Sequence, residues 1–354
     1  MGVFQQHAKE HFSTVNDASH GNVIEVRDLR KWFPLRKGFL SGVFGKGDVR
    51  YLKAVDGVSF AIRPGEVLGL AGESGCGKTT TGMTVLKLYE PSSGEILFHN
   101  QDVSSIRERD DLVDFRKKAQ IVFQNPYESL DPRFTVFQSV EEPTRLTYPA
   151  DPEKRTRAVV TAVERAGLVP ARDYLDRYPH ELSGGQLQRV AIARAISIEP
   201  SFLVADEPVS MLDVSIRAGI LNLLKYFSTD LNMGIVYISH DLSTMKHICT
   251  SIAIMYLGRI VEMGTSAQVL TRPRHLYAQA LVSAIPVMGG HGERKRVLLE
   301  GALPNPMDVP PGCRFHPRCP EEREICREQE PELVTLEDGH KVACHLVQAA
   351  GRTG

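Results

Sequence analysis

The chain has 354 residues, enough for one large domain or two ordinary ones, and 42% of them are hydrophobic, as expected for a globular protein. Its 42 basic and 43 acidic residues give a formal net charge of -1, which argues against a broad nucleic-acid-binding face. The start of the chain lacks a signal-peptide pattern, and no apolar run approaches the ~18 residues that would span a bilayer. We therefore expect a soluble chain whose six cysteines stay reduced.

The first predicted elements are a tail and a pair of strands. Residues 1–21 are polar and lack periodicity, so they are predicted to be disordered. An alternating run from Val23 predicts a strand, and a further set of strands is predicted at 51–62, after a basic, Gly-rich loop, RKGFLSGVFGKGDVR. Four short apolar runs are typical of a buried parallel sheet: 66–71, 120–123, 202–205 and 235–239.

Helical patterns lie between these runs. A helix is predicted from Lys78 to Leu88, directly after the first run, which gives the strand–loop–helix order of a parallel-sheet unit. Apolar residues at helical spacing around Val159 and Val163 predict a helical subdomain inserted at about 135–198. The composition changes to proline, cysteine and charge after Val269. We therefore expect an α/β domain at 22–275 and a smaller module at 276–354.

The segment GESGCGKT, residues 72–79, matches the pattern G-x-x-x-x-G-K-[ST] of a phosphate-binding loop. Its glycines let consecutive backbone N–H groups turn inward around a phosphate, and the Lys78 ammonium would reach the β- and γ-phosphates. The Thr79 hydroxyl would bind Mg²⁺, while Cys76 is expected to be a small filler rather than a reactive thiol. The predicted nucleotide-binding residues are Gly72, Ser74, Gly75, Cys76, Gly77, Lys78, Thr79 and Thr80.

Three later strands end in side chains that suit hydrolysis of a nucleotide. FLVADEP ends in Asp206, which would hold Mg²⁺ through water, and Glu207, which would polarise the attacking water. GIVYISHD ends at His240, which could stabilise charge on the γ-phosphate, and IVFQNP ends at Gln124, which could reach Mg²⁺ or the water. A lone histidine is more often structural, but the carboxyl ends of parallel strands are where α/β sites gather.

A second anion site is predicted at LSGGQ, residues 182–186. A serine beside two glycines at the start of a helix presents free N–H groups and the positive end of the helix dipole. The alternative is an ordinary capped helix with Ser183 as its cap.

Together, the motifs GESGCGKT, IVFQNP, LSGGQ, FLVADEP, SMLD and ISHD, in this order, resemble the nucleotide-binding subunit of an ATP-binding-cassette (ABC) transporter. Longer segments, including YPHELSGGQLQRVAIARAI and GALPNPMDVPPGCRFHPRCP, resemble the ATPase subunits of bacterial oligopeptide and dipeptide importers. The resemblance implies a P-loop NTPase fold with a RecA-like parallel-sheet core, an antiparallel β subdomain and an inserted α-helical subdomain. It also implies a small Cys-rich C-terminal extension.

In this family two cassettes stack head to tail. The resemblance therefore implies that Ser183, Gly184, Gly185 and Gln186 bind the ATP held by a partner's phosphate loop, and that Asp213 touches the partner. It further implies that ATP hydrolysis drives peptide uptake through two permease subunits, with an extracytoplasmic solute-binding protein, at the cytoplasmic face of the membrane. A heterodimer of two ATPase chains is expected, because peptide importers commonly use two different ones.

Other solutes, such as an oligosaccharide or a metal chelate, are alternatives to peptides. A soluble cassette protein acting on nucleic acid is a more distant one, and we expect no nucleic-acid partner. The resemblance also assigns Phe33 to stacking on the adenine, with Trp32 and Tyr51 as alternatives.

Four cysteines in the last part of the chain have the spacing C-x5-C-x6-C-x17-C: Cys313, Cys319, Cys326 and Cys344. Four thiolates in a reducing compartment suit a [4Fe-4S] cluster or Zn²⁺, and the missing C-x₂₋₄-C knuckle favours the cluster; unligated or redox-labile thiols are the third alternative. His316, His340 and His345 are expected on the surface, although His345 could replace a cysteine as ligand. The expected role of the site is to stabilise a small module.

Overall fold

The computed structural model describes residues 21–35, 50–285, 299, 301 and 304–350. The predicted tail and the Gly-rich basic loop lie almost entirely outside these residues. The described strands are β1 (Ile24–Leu35), β2 (Arg50–Ile62), β3 (Val67–Ala71), β4 (Ser93–Phe98), β5 (Gln101–Asp102), β6 (Ala119–Val122), β7 (Phe202–Asp206), β8 (Gly234–Ile238), β9 (Ser251–Tyr256), β10 (Arg259–Thr265), β11 (Val334–Thr335) and β12 (Lys341–Val342).

The described helices connect and cover these strands. They are α1 (Lys78–Val85), α2 (Arg109–Lys118), α3 (Pro126–Ser129), α4 (Val136–Thr147), α5 (Pro152–Arg165), α6 (Gly184–Ile196), α7 (Val214–Thr229), α8 (Leu242–Ile248), α9 (Ser266–Thr271), α10 (Leu276–Ser283), α11 (Glu324–Glu328) and α12 (His345–Ala350). Within the described ranges, no helix combines the length and the apolarity needed to cross a bilayer.

The strands form two sheets. The first is antiparallel, in the order β2-β1-β4-β5, and the second has the order β11-β12-β10-β9-β3-β8-β7-β6. In the second sheet the pairs from β9 through β3, β8 and β7 to β6 are parallel. The predicted parallel core and antiparallel β subdomain are therefore both present.

The parallel strands are mainly apolar because both faces of their sheet are covered. In β3, Val67 and Ala71 pack into one hydrophobic cluster, whereas Leu68 and Leu70 point to the other. Helix α1 contacts β1 and β2 of the antiparallel sheet and β7 and β8 of the mixed sheet, so it lies between the two sheets.

Helices α4, α5 and α6 pack on one another and form the inserted helical region. In α5 the buried face consists of Val159, Ala162 and Val163, as the apolar spacing predicts. The Thr135 side chain accepts from Gln138 N, and the Gln138 side chain accepts from Thr135 N, so α4 begins with a capping box. The exact domain boundaries stay predictions.

The described residues of the predicted module at 276–354, called here the last part of the chain, extend the cassette domain rather than forming a separate one. Strand β12 pairs with β10, and β11 pairs with β12, so both extend the mixed sheet. Phe315 is 1% exposed, and its ring lies 5.4 Å from that of Tyr256 and 5.6 Å from that of Tyr277. A short, Pro-rich segment cannot build an adequate core of its own, so it shares the core of the larger domain.

The surface position expected for His340 was wrong. His340 is 1% exposed, and its Nε2 lies 2.8 Å from Oε1 of Glu262, which has no exposed surface. Burial raises the pKa of Glu262 to about 7, although backbone N–H groups of Arg274 and His275 donate to its carboxylate. The pair joins β10 to the loop before β12 and gives the buried Nε2 of His340 a hydrogen-bond partner.

Replacing His340 by alanine is expected to lower the free energy of unfolding by about 3 kcal/mol, because Glu262 then loses its buried partner. Urea denaturation of the full chain, followed by circular dichroism, measures this change. The control is His247→Ala at an exposed position of α8, expected to change stability by less than about 0.5 kcal/mol. Equal stabilities for the two variants would contradict a stabilising Glu262–His340 pair.

Candidate active site

The phosphate-binding segment 72–79 follows β3, continues into the first two residues of α1 and is pressed against both sheets. A Cβ atom on Gly77 would lie 2.1 Å from the carbonyl oxygen of Ala54, and one on Gly72 would lie 2.3 Å from that of Met255. Both residues have positive φ, as does Gly75, whose added Cβ would meet nothing within 4 Å. The loop is therefore closed on the side of the strands and open near Gly75, which fits a bound polyphosphate.

Positive charge faces the inside of this loop. Gly77 is the N-cap of α1 and provides no side-chain hydrogen bond to the first N–H groups of the helix. The Lys78 side chain is buried, and its Nζ donates to the carbonyl oxygens of Gly72 at 2.8 Å and Glu73 at 3.0 Å. Burial raises the pKa of the Cys76 thiol, which agrees with the expected role as a filler. A helix N-terminus and a buried ammonium together favour an anion.

Two oxygen ligands suited to Mg²⁺ meet at the start of α1. Thr79 Oγ1 donates to Asp206 Oδ1 over 3.0 Å. Asp206 is 6% exposed, and burial raises the pKa of its carboxyl group, while the Thr79 hydroxyl lowers it. A hydroxyl and a carboxylate beside a phosphate-binding loop match the oxygen ligands that Mg²⁺ prefers when it also binds a nucleotide.

The structure brings the three side chains predicted to act on water into contact. His240 Nδ1 lies 3.0 Å from Glu207 Oε1, and Gln124 Nε2 lies 3.4 Å from Glu207 Oε2. Glu207 has a φ of 46°, in the left-handed region that L-residues rarely adopt. This strained backbone turns the chain at the end of β7. Sequence reasoning missed it, because Pro208 marks the end of the strand but does not predict a positive φ for the residue before it.

The LSGGQ segment combines a helix cap with an exposed surface. Ser183 is exposed and is the N-cap of α6, and its Oγ accepts from Gln186 N at 3.3 Å. The Gln186 side chain accepts from Ser183 N at 2.9 Å, which completes a capping box. Among the described hydrogen bonds, none joins Ser183 or Asp213 to Glu207 or His240.

The segment before α7 is also exposed. Asp213 precedes the helix as its N-cap without a side-chain hydrogen bond to it. On either side, Met211 is 64% and Val214 is 79% exposed. Neighbouring exposed apolar side chains are typical of a contact surface.

The contacts of Phe33 do not single it out from Trp32 and Tyr51 as the ring that stacks on adenine. The Phe33 ring lies 5.5 Å from that of Tyr89, and the Trp32 indole donates to Asp56 Oδ1 over 3.0 Å. The Trp32 and Tyr51 rings are 6.2 Å apart. Stacking by Phe33 therefore stays a prediction, with Trp32 and Tyr51 as alternatives.

The predicted metal site of the last part of the chain is not supported. All four cysteines are free thiols, and the described residues contain no group of three or more His, Cys, Asp or Glu side chains arranged to hold a metal. Burial raises the pKa of Cys313 to about 12, and the thiols of Cys326, Cys344 and Cys319 add to this shift. The thiols therefore affect one another electrostatically, and among the described residues neither a [4Fe-4S] cluster nor a Zn²⁺ site is supported.

Comparisons with known proteins agree with this site. Residues 55–210 match the family described as ABC transporter, and residues 261–326 match the C-terminal region of oligopeptide/dipeptide transporters. The oligopeptide transport ATP-binding protein AppF of Bacillus subtilis is 44% identical over 93% of this chain and 98% of its own length. The dipeptide transport ATP-binding protein DppF of Escherichia coli is 42% identical over 92% of this chain and 94% of its own length.

The fold has solved relatives as well. The dimeric structure of MJ0796, a bacterial ABC transporter cassette, has a TM-score of 0.59 at 27% identity and covers 69% of this chain and 98% of that chain. MJ0796 is also known in a dimeric post-hydrolysis state bound to ADP and Pi, with a TM-score of 0.58 and 26% identity.

The phosphate-binding loop, the acidic strand end and the mixed sheet define a P-loop ATPase of the cassette class. The chain belongs to the ABC transporter family, among the oligopeptide and dipeptide transport ATP-binding proteins. The predicted cassette fold and ATPase activity are thereby confirmed.

The substitution Glu207→Gln is expected to leave ATP binding intact and to reduce hydrolysis by about 10²–10⁴, because the amide cannot take a proton from water. Nucleotide binding and phosphate release, measured on the same purified assembly, test this. Lys78→Ala is the contrasting variant, since it should weaken binding itself. Unimpaired turnover by Glu207→Gln would remove Glu207 from the catalytic role.

Proposed function

We propose that the chain is the ATP-hydrolysing subunit of a peptide importer, and that it forms complete catalytic sites only when paired with a second cassette. The observation that carries this proposal is the exposed Ser183 at the N-terminus of α6. Ser183 is the N-cap of the helix, and the next residue, Gly184, is partly exposed. The phosphate-binding loop, Asp206 and Glu207 form the other half of a site.

Within one chain, the phosphate loop binds the nucleotide and the strand ends act on water. Lys78 and the N-terminus of α1 bind the β- and γ-phosphates. Thr79 and Asp206 would hold Mg²⁺, which would neutralise phosphate charge. Glu207 accepts a proton from the attacking water. His240, 3.0 Å from Glu207, orients that carboxylate, and Gln124 on its other side contacts the water or the metal ion.

Between two chains, the signature segment completes the site. Ser183, Gly184 and Gly185 contact the γ-phosphate of the partner's ATP, with Gln186 holding the loop and Asp213 touching the partner. A helix N-terminus near a partly buried anion contributes up to about 2 kcal/mol, so closure depends on the third phosphate. Hydrolysis removes this contact and reopens the pair. The dimeric MJ0796 cassette supports such pairing.

The partner in the pair is proposed to be a different ATPase chain, as peptide importers commonly use two. Two permease subunits would bind next to Gln124, where the chain exposes Tyr127 by 59% and Phe134 by 39%. These apolar side chains offer a surface for a cytoplasmic helix of a permease. Gln124 would link this surface to the γ-phosphate. The chain would then lie peripherally on the cytoplasmic face of the membrane.

The names of the relatives favour peptides over oligosaccharides or metal chelates. AppF and DppF are described as oligopeptide and dipeptide transport proteins, and they match nearly the whole chain. An extracytoplasmic solute-binding protein would deliver the peptide, and the ATPase would not contact it.

Isolation of the native complex through a tag on this chain should recover two permeases and a second ATP-binding chain. Mass spectrometry identifies them, and uptake of labelled di- and oligopeptides in cells with and without Lys78→Ala measures the transport. We expect uptake to fall to background in the variant. A complex without membrane subunits, or unchanged uptake, would contradict the proposal.

The substitution Ser183→Arg is expected to abolish ATP hydrolysis by the assembled pair, because a bulky cation blocks closure on the partner's nucleotide. ATP binding by the variant chain itself should stay within about twofold of the original value, which is below 0.5 kcal/mol. Thr265→Arg is the matched control, since Thr265 forms the same capping box at α9. Full hydrolysis with Ser183→Arg would contradict a shared site.

A further inference from the structure

Glu73, the second residue of the phosphate-binding loop, is held from three directions. Its backbone N–H donates to the hydroxyl of Tyr277 over 2.9 Å. Its carbonyl oxygen accepts from Lys78 Nζ at 3.0 Å and from Cys76 N at 3.3 Å. Its carboxylate forms a two-bonded ion pair with Arg318, at 2.7 Å for Nη1–Oε2 and 3.0 Å for Nη2–Oε1. Tyr277 and Arg318 both lie in the last part of the chain, far from the loop in sequence.

The Arg318 side chain is fixed in this position by its surroundings. It is 7% exposed, and its guanidinium lies 5.9 Å from the centre of the Tyr256 ring. Tyr256 in turn contacts the rings of Tyr277 and Phe315, at 4.7 Å and 5.4 Å. A planar guanidinium with both Nη groups engaged by one carboxylate has a defined direction as well as a charge.

This contact matters for the nucleotide in two ways. A carboxylate within a loop that binds a polyphosphate repels it, and the guanidinium offsets that charge. The carbonyl oxygen of the same residue accepts from Nζ of Lys78, so the position of Glu73 also determines where the ammonium rests. Loss of Arg318 would therefore leave the acid uncompensated and the loop less well ordered.

We propose that Arg318 is a positioning residue for the ATP site. It neutralises the Glu73 carboxylate within the phosphate-binding loop and, by holding Glu73 in place, orients Lys78 toward the triphosphate. The last part of the chain thus takes part in nucleotide binding without touching the nucleotide. Two observations carry this: the two-bonded contact from Arg318 to the loop carboxylate, and the second contact from Tyr277 to the same residue's backbone.

A double-mutant cycle on the purified full chain tests the proposal. The variants are Arg318→Gln, Glu73→Gln and the two combined, and the probe is a non-hydrolysable β,γ-imido ATP analogue with Mg²⁺, titrated by calorimetry. Arg318→Gln should weaken binding about tenfold when Glu73 is present and less than about twofold in the Glu73→Gln background, as expected for residues in direct contact. A purely structural effect of Arg318 would be the same in both backgrounds.

The matched control is Arg327→Gln. Arg327 forms a similar two-bonded pair with Glu322, at 2.6 Å and 3.2 Å, within the last part of the chain. It should leave affinity for the analogue unchanged. If the melting temperature shows that Arg318→Gln does not fold, Arg318→Lys takes its place in the cycle. Arg318→Lys should then lower the affinity for the analogue about threefold, and only when Glu73 is present.

Wild-type affinity in a folded Arg318 variant, or equal losses with and without Glu73, would overturn the proposal. Because the measurement needs neither a second cassette nor a permease, its outcome is independent of the proposed transport function.

Discussion

The structure depends on the close approach of the phosphate-binding loop to two strands from different sheets. Gly77 leaves no space for a Cβ against Ala54 in β2, and Gly72 leaves none against Met255 in β9. Both sheets, and helix α1 between them, are therefore fixed relative to the nucleotide. A side chain at either glycine would have to displace the loop or separate the strands, and both would move Lys78 and Thr79 from their partners.

Much of the cassette could be predicted because its signals are local. The apolar run at 202–205 falls within β7 and the run at 235–239 overlaps β8, and the loop motif follows β3 and continues into α1 as expected. The contacts among the catalytic candidates are not local: Glu207 meets Gln124 across 83 positions and His240 across 33. Their assignment to one site followed from the resemblance and from the rule that parallel strands end at one edge. The left-handed backbone of Glu207 has no comparable sequence signal.

The last part of the chain shows where sequence patterns stop being informative. Its composition predicted a separate module, but strand pairing with β10 is a tertiary feature that composition does not encode. His340 follows Asp338 and Gly339 and is typical of a surface turn, whereas its partner Glu262 lies 78 positions earlier. The cysteine spacing predicted metal ligation, yet spacing does not determine how far apart the thiols lie in the folded chain. Arg318 lies between Cys313 and Cys326 in the sequence, and its contact with Glu73 could not be predicted from the sequence either.

The pairing of β12 with β10 has a consequence for solubility. A strand at the margin of a sheet that lacks a neighbour presents open N–H and C=O groups, which can recruit a strand of another molecule. Residues Lys341 and Val342 occupy these groups opposite Met263 and Glu262, and the outermost strand, β11, is only two residues long. The C-terminal segment therefore covers a sheet edge that could otherwise pair with a strand of another molecule, which lowers the tendency to aggregate.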